Sequence, residues 1–368
     1  MRALARIATA MAALSACGTS GVAAQEKVTL RSDVLLYGDN TEFRNPFREG
    51  ETILGAALRV AVDVEVNDRV RLALGAFGNQ RFGSEKAFVL ARPVISVTFV
   101  GRRSSFVFGT FPAFAGGFGG VGPPIAVTAP VGPDRDGPHV LLPPIQRETL
   151  TFDRPYEAGL EWNFTGLHLR HSLWLEWQRI NTPAHRERFD GGFNGALRAS
   201  AHLSLPLQVH VVHEGGQLYA SGPVRDSWAG ATGVDIEGAP TQTSHASLEL
   251  FGLVSKYVED RSRPELTRDG VAFFGRAAID RAGWRAHVIV WRGRNFIKDE
   301  GDPDYLSMRR DGTRYAGTRD YAEAGLARRF TLASTAVMEV SGRLHRTERF
   351  YEYSYRVLSI VSVGWHIR

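Results

Sequence analysis

Between Thr52 and Val66 the chain alternates strictly. Leu54, Ala56, Leu58, Val60, Val62, Val64 and Val66 share one face, while Arg59, Asp63 and Glu65 share the other. Side chains on a strand point to opposite faces in turn, so this segment has one apolar side and one charged side. After Asn67-Asp68 the pattern runs back, with Val70, Leu72, Leu74 and Ala76 again on one face. Sixteen such segments can be drawn along the chain, and no amphipathic helix competes with them. At about ten residues, these segments suit the ~9–11 tilted residues that a strand needs to cross a bilayer.

The connections between the segments alternate as well. Short ones are expected at Asn67-Asp68, Gly101–Ser104, Thr165-Gly166, around Pro206, and at Gly238–Thr241, Arg281–Gly283 and Arg328–Phe330. Long ones are expected at Asp39–Glu51, Gly78–Lys86, Pro112–Asp153, Asn181–Gly192, Gly215–Asp226, Val258–Asp269 and Gly293–Arg319, with a last outer loop at His345–Phe350. Short turns at one end and long loops at the other define an antiparallel up-and-down transmembrane β-barrel. Sixteen strands fit best, and the ambiguous stretch Gly215–Thr241 leaves fourteen or eighteen open. An even count predicts short periplasmic turns, long extracellular loops and two periplasmic termini in the outer membrane of a Gram-negative bacterium. A propeller would need a recurring segment of about 40–50 residues, and none is found.

Composition narrows the field. No apolar run of roughly 20 residues follows residue 24, which excludes a helical membrane protein. The net charge of +5 is spread beside acids without a basic patch, so nucleic acid is not an expected partner. At the N-terminus Arg2 and Arg6 precede the apolar stretch Ile7–Ala16 and the small residues Val22 and Ala24. That order predicts a signal peptide over residues 1–24 and a barrel over 25–368. An alternative is a lipoprotein signal, Leu14-Ser15-Ala16-Cys17, with lipidation at Cys17. Cys17 is the only cysteine, so a mature barrel holds no disulfide and no thiolate metal site.

With its strand count, alternating loops and aromatic-rich closing strand (Tyr353, Tyr355, Trp365), the chain resembles bacterial outer-membrane porins across residues 28–368. The resemblance implies passive diffusion of small hydrophilic solutes, insertion by the barrel-assembly machinery into outer-membrane lipid, and compatibility with a homotrimer. It also implies that the third long loop, 112–153, folds into the lumen, with Asp134, Arg135, Asp136, His139 and Arg147 as constriction candidates. On the alternation, Arg59, Arg71, Glu161, Arg170, Glu176, Arg198, Arg276 and Arg285 are candidate pore-lining residues. Acids and arginines nearly balance, which favours neither anions nor cations.

Enzymatic chemistry needs a constellation. His168, His171, His202, His210 and His213 have no serine near them by motif, and there is no Gly-x-Ser-x-Gly and no His-Glu-x-x-His. The expectation is therefore no enzyme, no catalytic residue and no cofactor. Asp299, Asp302 and Asp304 form an acidic loop that could meet Ca²⁺ but lack the spacing of a calcium loop, and a solvated loop is favoured. Two other functions stay open: an export barrel for a polysaccharide or other polymer, and a lipid-modifying enzyme. The enzyme would require Ser, His and an acid within hydrogen-bond reach.

Overall fold

The computed structural model describes residues 27–113 and 138–367. The described residues form sixteen strands: β1 (Lys27–Glu42), β2 (Glu51–Asn67), β3 (Val70–Arg81), β4 (Leu90–Val100), β5 (Ser104–Pro112), β6 (Tyr156–Thr165), β7 (Leu169–Arg179) and β8 (Glu187–Arg198) lead the series. β9 (Leu203–Gly215), β10 (Arg225–Thr241), β11 (Ser244–Val258), β12 (Arg268–Arg281), β13 (Trp284–Arg294), β14 (Thr318–Ala333), β15 (Ala336–Thr347) and β16 (Phe350–Ile367) complete it. Each strand pairs antiparallel with its chain neighbours, and β1 pairs with β16 from Val28↔Ile367 to Glu42↔Tyr353, which closes the barrel. Closure leaves no edge strand among the described residues, so every wall amide and carbonyl can bond to the next strand inside lipid.

The alternation sorts side chains as the sequence predicts. Leu54, Leu74, Ile95, Phe108, Val271 and Val288 point outward and are exposed, whereas Asp33, Arg59, Glu176, Arg276 and Glu323 point inward and are buried. Exposed Tyr351, Tyr353 and Tyr355 stand at the long-loop end of β16, and exposed Trp284, Phe330 and Trp365 at the tight-turn ends of β13, β14 and β16. Aromatic belts of this kind mark the two lipid interfaces. Val288 sits mid-strand on the apolar band, 51% exposed. Val288→Arg should cost about 2–4 kcal/mol in reversible unfolding from lipid vesicles. Destabilisation below 0.5 kcal/mol would argue that this face does not meet lipid.

Several boundaries differ from the sequence reading. Pro206 lies inside β9, opposite Ala196, and the turn falls at 199–202. Proline removes one ladder donor, which a strand tolerates at a single position. β14 runs on to Ala333 past a bulge, so its turn is 334–335 and not Arg328–Phe330. β10 reaches Thr241 through a bulge at Gly238/Thr241 and turns at 242–243. The last outer connection is the two-residue turn 348–349, which places His345 within β15.

Candidate active site

The lumen is divided across its length. In the long-loop half, residues 43–48, 139–154 and 295–308 turn inward and pack on the wall. Leu141, Leu142, Ile145 and Phe296 are fully buried, in one apolar cluster with Phe111, Trp174, Phe251, Phe274 and Trp291. The Leu142 N–H donates to Gln208 Oε1 at 2.9 Å, and Gln208 Nε2 donates to the Val140 carbonyl at 3.1 Å. Arg48 clamps Asp304 at 2.6 Å and Asp302 at 3.0 Å. Buried Arg319 stacks 3.3 Å over the Phe47 ring and donates to the Asp304 carbonyl at 2.9 Å. Loops with this many buried contacts form a plug. Burial raises the Asp304 carboxyl to about 6, against the lowering pull of Arg48.

Below the plug lies a cavity of about 680 Å³, lined by charged and apolar side chains alike and roofed by Ala113, His139 and Val140. Arg59, Glu161, Arg170, Arg276 and Arg285 line it. Most of its charges are paired: Arg59 with Asp33 at 3.3 Å, Arg276 with Glu249 at 2.6 Å, and Arg285 with Asp280. Arg71 stands 3.5 Å from Glu65. Arg198 is exposed at the tight-turn rim and donates to the Ser200 carbonyl at 3.2 Å. Glu176 lies higher, against Arg154 at 3.1 Å and Arg92 at 3.5 Å.

The third-loop candidates separate. His139 is buried, stacks on Trp174 with centroids 3.7 Å apart, and meets Glu157 at 2.7 Å. Burial lowers its imidazole to about 4. Arg147 reaches outward, 3.6 Å from Asp153. Asp134, Arg135, Asp136 and Cys17 lie outside the described residues, as does the expected signal peptide. In the acidic loop, Asp302 and Asp304 spend their carboxylates on Arg48, and the Asp299 N–H donates to Ser227 Oγ at 2.8 Å.

A constellation that motif reading missed lies on β14, β15 and β16, under the plug. Tyr321 and Glu323 face inward from β14, two residues apart. His345 on β15 sits directly across from Glu323, and Ser354 on β16 directly across from Arg343. Ser354 Oγ lies 2.8 Å from His345 Nε2. On the other side of the ring, His345 Nδ1 is 2.7 Å from the Tyr321 hydroxyl and 3.4 Å from Glu323 Oε2.

The bonding fixes the tautomer. Tyr321 donates its one proton to Glu323 Oε2 at 2.6 Å, so its oxygen accepts from His345 Nδ1–H. Nε2 is then left bare to accept the Ser354 hydroxyl. That is the arrangement of an activated nucleophile: hydroxyl, base, and an anionic group orienting the base. His287 donates to the other oxygen of Glu323 at 2.8 Å. Its ring fits because the residue across the ladder is Gly325, where a Cβ would stand 2.2 Å from the imidazole. Phe43 covers His345 edge-on at 4.9 Å. Arg343 and Arg356 share Glu148 of the plug at 3.3 and 2.9 Å.

A closed sixteen-strand barrel with an apolar belt and loops folded into its bore is an outer-membrane barrel of the porin type. Its solved neighbours carry that fold. OmpT of Vibrio cholerae, as a loop-deletion mutant, has a TM-score of 0.54 and 8% identity over 92% of this chain and 99% of its own. OccK8 of Pseudomonas aeruginosa has a TM-score of 0.53 and 11% identity over 94% and 100%. The anion-selective porin of Comamonas acidovorans has a TM-score of 0.52 and 8% identity over 92% and 99%. No curated protein matches the sequence.

The sequence itself belongs to the Lipid A 3'-O-deacylase-type family, which it matches over residues 21–115 and 134–360. This corrects the expectation that the chain is not an enzyme, because the family is an enzyme family.

Proposed function

We propose that the protein is an outer-membrane hydrolase that releases an ester-linked acyl chain from lipid A. Ser354 is the nucleophile, His345 the general base, and Glu323 with Tyr321 the group that orients it. The observation that carries this reading is the hydrogen-bonded line Ser354–His345–Tyr321/Glu323. Family membership supplies the substrate class. In the first step Ser354 Oγ bonds to the ester carbonyl carbon while its proton passes to His345 Nε2. That proton then leaves with the sugar hydroxyl as the ester C–O bond breaks, and water releases the acyl group by the reverse transfer.

Arg343, across the ladder from Ser354, is the candidate to meet the negative oxygen of the tetrahedral intermediate. Ser354 is only 3% exposed, so substrate entry requires Phe43 and the Glu148 segment to lift. The site lies at the long-loop end. With the long loops outside and both termini periplasmic, that end meets the outer leaflet, where lipid A resides.

A second reading is a channel for small hydrophilic solutes, with the long-loop plug as its gate. The cavity lined by Arg59, Glu161, Arg170, Arg276 and Arg285 favours it. One pair of measurements separates the two. Lipid A from cells making the protein should lose the mass of one fatty acyl chain by mass spectrometry, and planar bilayers should show little steady conductance. Intact lipid A together with large stepwise openings would reverse the choice.

A further inference from the structure

On the opposite wall from Ser354, four inward side chains of β6–β9 gather with one from the plug. Asp190 (β8), His210 (β9) and Glu300 (plug) each offer a ligand atom within 4.8 Å of the others, and so do Glu157, Glu176 and Asp190. Asp190 belongs to both sets. The wall places them there by register: Glu176 lies directly across from Asp190, and His210 across from Gly192, one inward position further on.

His210 is fully buried, and neither of its ring nitrogens makes a hydrogen bond; Asp190 Oδ1 also makes none. A buried imidazole with two idle nitrogens is a costly arrangement unless something else binds there. His210 Nε2 stands 3.8 Å from Asp190 Oδ2, too far for a hydrogen bond. Two donors bound to one ion at about 2.1 Å each stand roughly 3–4 Å apart. The remaining contacts leave Asp190 Oδ1 and both His210 nitrogens free, while Gln178 holds Asp190 Oδ2 at 2.6 Å and Arg154 holds Glu176 at 3.1 Å. Both Glu300 oxygens are already engaged, Oε2 ion-paired with Arg154 at 2.8 Å and Oε1 accepting from Arg188 and Gln178 at 3.2 Å each, so Glu300 would meet an ion through its second lone pairs. Lys298 commits its amine to the Asp299 carbonyl at 2.6 Å.

We infer that Asp190, His210 and Glu300 form a binding site for a divalent transition-metal ion, with Glu176 and Glu157 within reach as further oxygen ligands. One imidazole among carboxylates fits Zn²⁺ or Mn²⁺ better than the all-oxygen preference of Ca²⁺ or Mg²⁺. Because Glu300 comes from the plug and the others from the wall, the ion latches the plug to β8 and β9. The site is separate from Ser354 and does not depend on the hydrolase reading.

The test uses untagged, folded full-length barrel in detergent, stripped with chelator and titrated with Zn²⁺ or Mn²⁺ in a calorimeter. One equivalent should bind with micromolar or tighter Kd, and Ca²⁺ at least tenfold more weakly. Asp190→Asn and His210→Gln should each weaken binding at least fiftyfold. Glu300→Gln changes only the plug, leaves the wall strands intact, and should weaken it at least tenfold. In the wild-type protein, bound Mn²⁺ should show nitrogen coupling from one imidazole by pulsed electron paramagnetic resonance. Absence of stoichiometric binding to the wild type would overturn the assignment, as would Mn²⁺ bound without nitrogen coupling or affinity unchanged in Glu300→Gln.

Discussion

Ser354→Ala should remove lipid A deacylation almost completely, by a factor of at least ~10³ in rate, while the barrel keeps its fold. The change deletes one buried hydroxyl and leaves a side chain of nearly the same size, so stability should hardly move. His345→Ala should cost as much, and the double variant no more than either alone, because the two residues act in one proton transfer. Tyr321→Phe should cost less, about 10–10²-fold. It removes the hydroxyl between Nδ1 and the carboxylate but leaves Glu323 Oε2 3.4 Å from the ring. The measurement is the ratio of intact to shortened lipid A in cells carrying equal amounts of folded barrel. Full activity in Ser354→Ala would rule out this serine as nucleophile and send the search for the family's chemistry to another part of the lumen.

Breaking the plug should have the largest effect on permeation. Leu141 and Leu142 are fully buried within the lumen cluster that includes Phe111, Trp174, Phe274 and Trp291. A carboxylate at Leu142 would lose the packing of a buried leucine and strand a charge among aromatic rings, at a cost of about 3–5 kcal/mol. The wall is held by ladders between neighbouring strands, so the cost falls on the segment and not on the barrel. Leu142→Asp should therefore expel residues 138–154, raise bilayer conductance by roughly tenfold and let trypsin cut at Arg147 or Arg154. Unchanged conductance from an intact, trypsin-sensitive barrel would show that this segment does not close the bore.

A barrel of sixteen strands is wide enough for water unless filled. Here the long-loop half is filled, and the buried residues that fill it also cover Ser354 and His345. Lifting the plug would admit lipid to the site and solute to the cavity below. Conductance and deacylation should thus respond together to Leu142→Asp, whereas Ser354→Ala should alter deacylation alone.

The barrel was legible because its determinants are local. Alternation at period two along β2, β3, β12, β13 and β16 states which residues meet lipid, and it needs no knowledge of the partner strand. Inward placement of Arg59, Glu176, Arg276 and Arg285 follows from the same rule. The boundaries that slipped were those where a local signal misleads: proline inside β9, and bulges near the ends of β10 and β14. His345 lies within β15 and not in a loop, and the two-residue turn 348–349 brings it beside Ser354 on β16.

The sequence by itself determined the closed sheet, the lipid face and the inward ring of charges, because a side-chain period of two is a property of each strand alone. Only the tertiary structure decided which inward residues meet. Ser354, His345, Tyr321 and Glu323 come from three strands, and Asp190, His210 and Glu300 from two strands and a loop. Their distances depend on register across the ladder and on the packing of the plug. No spacing along one chain encodes either, because both are set by contacts between segments far apart in sequence.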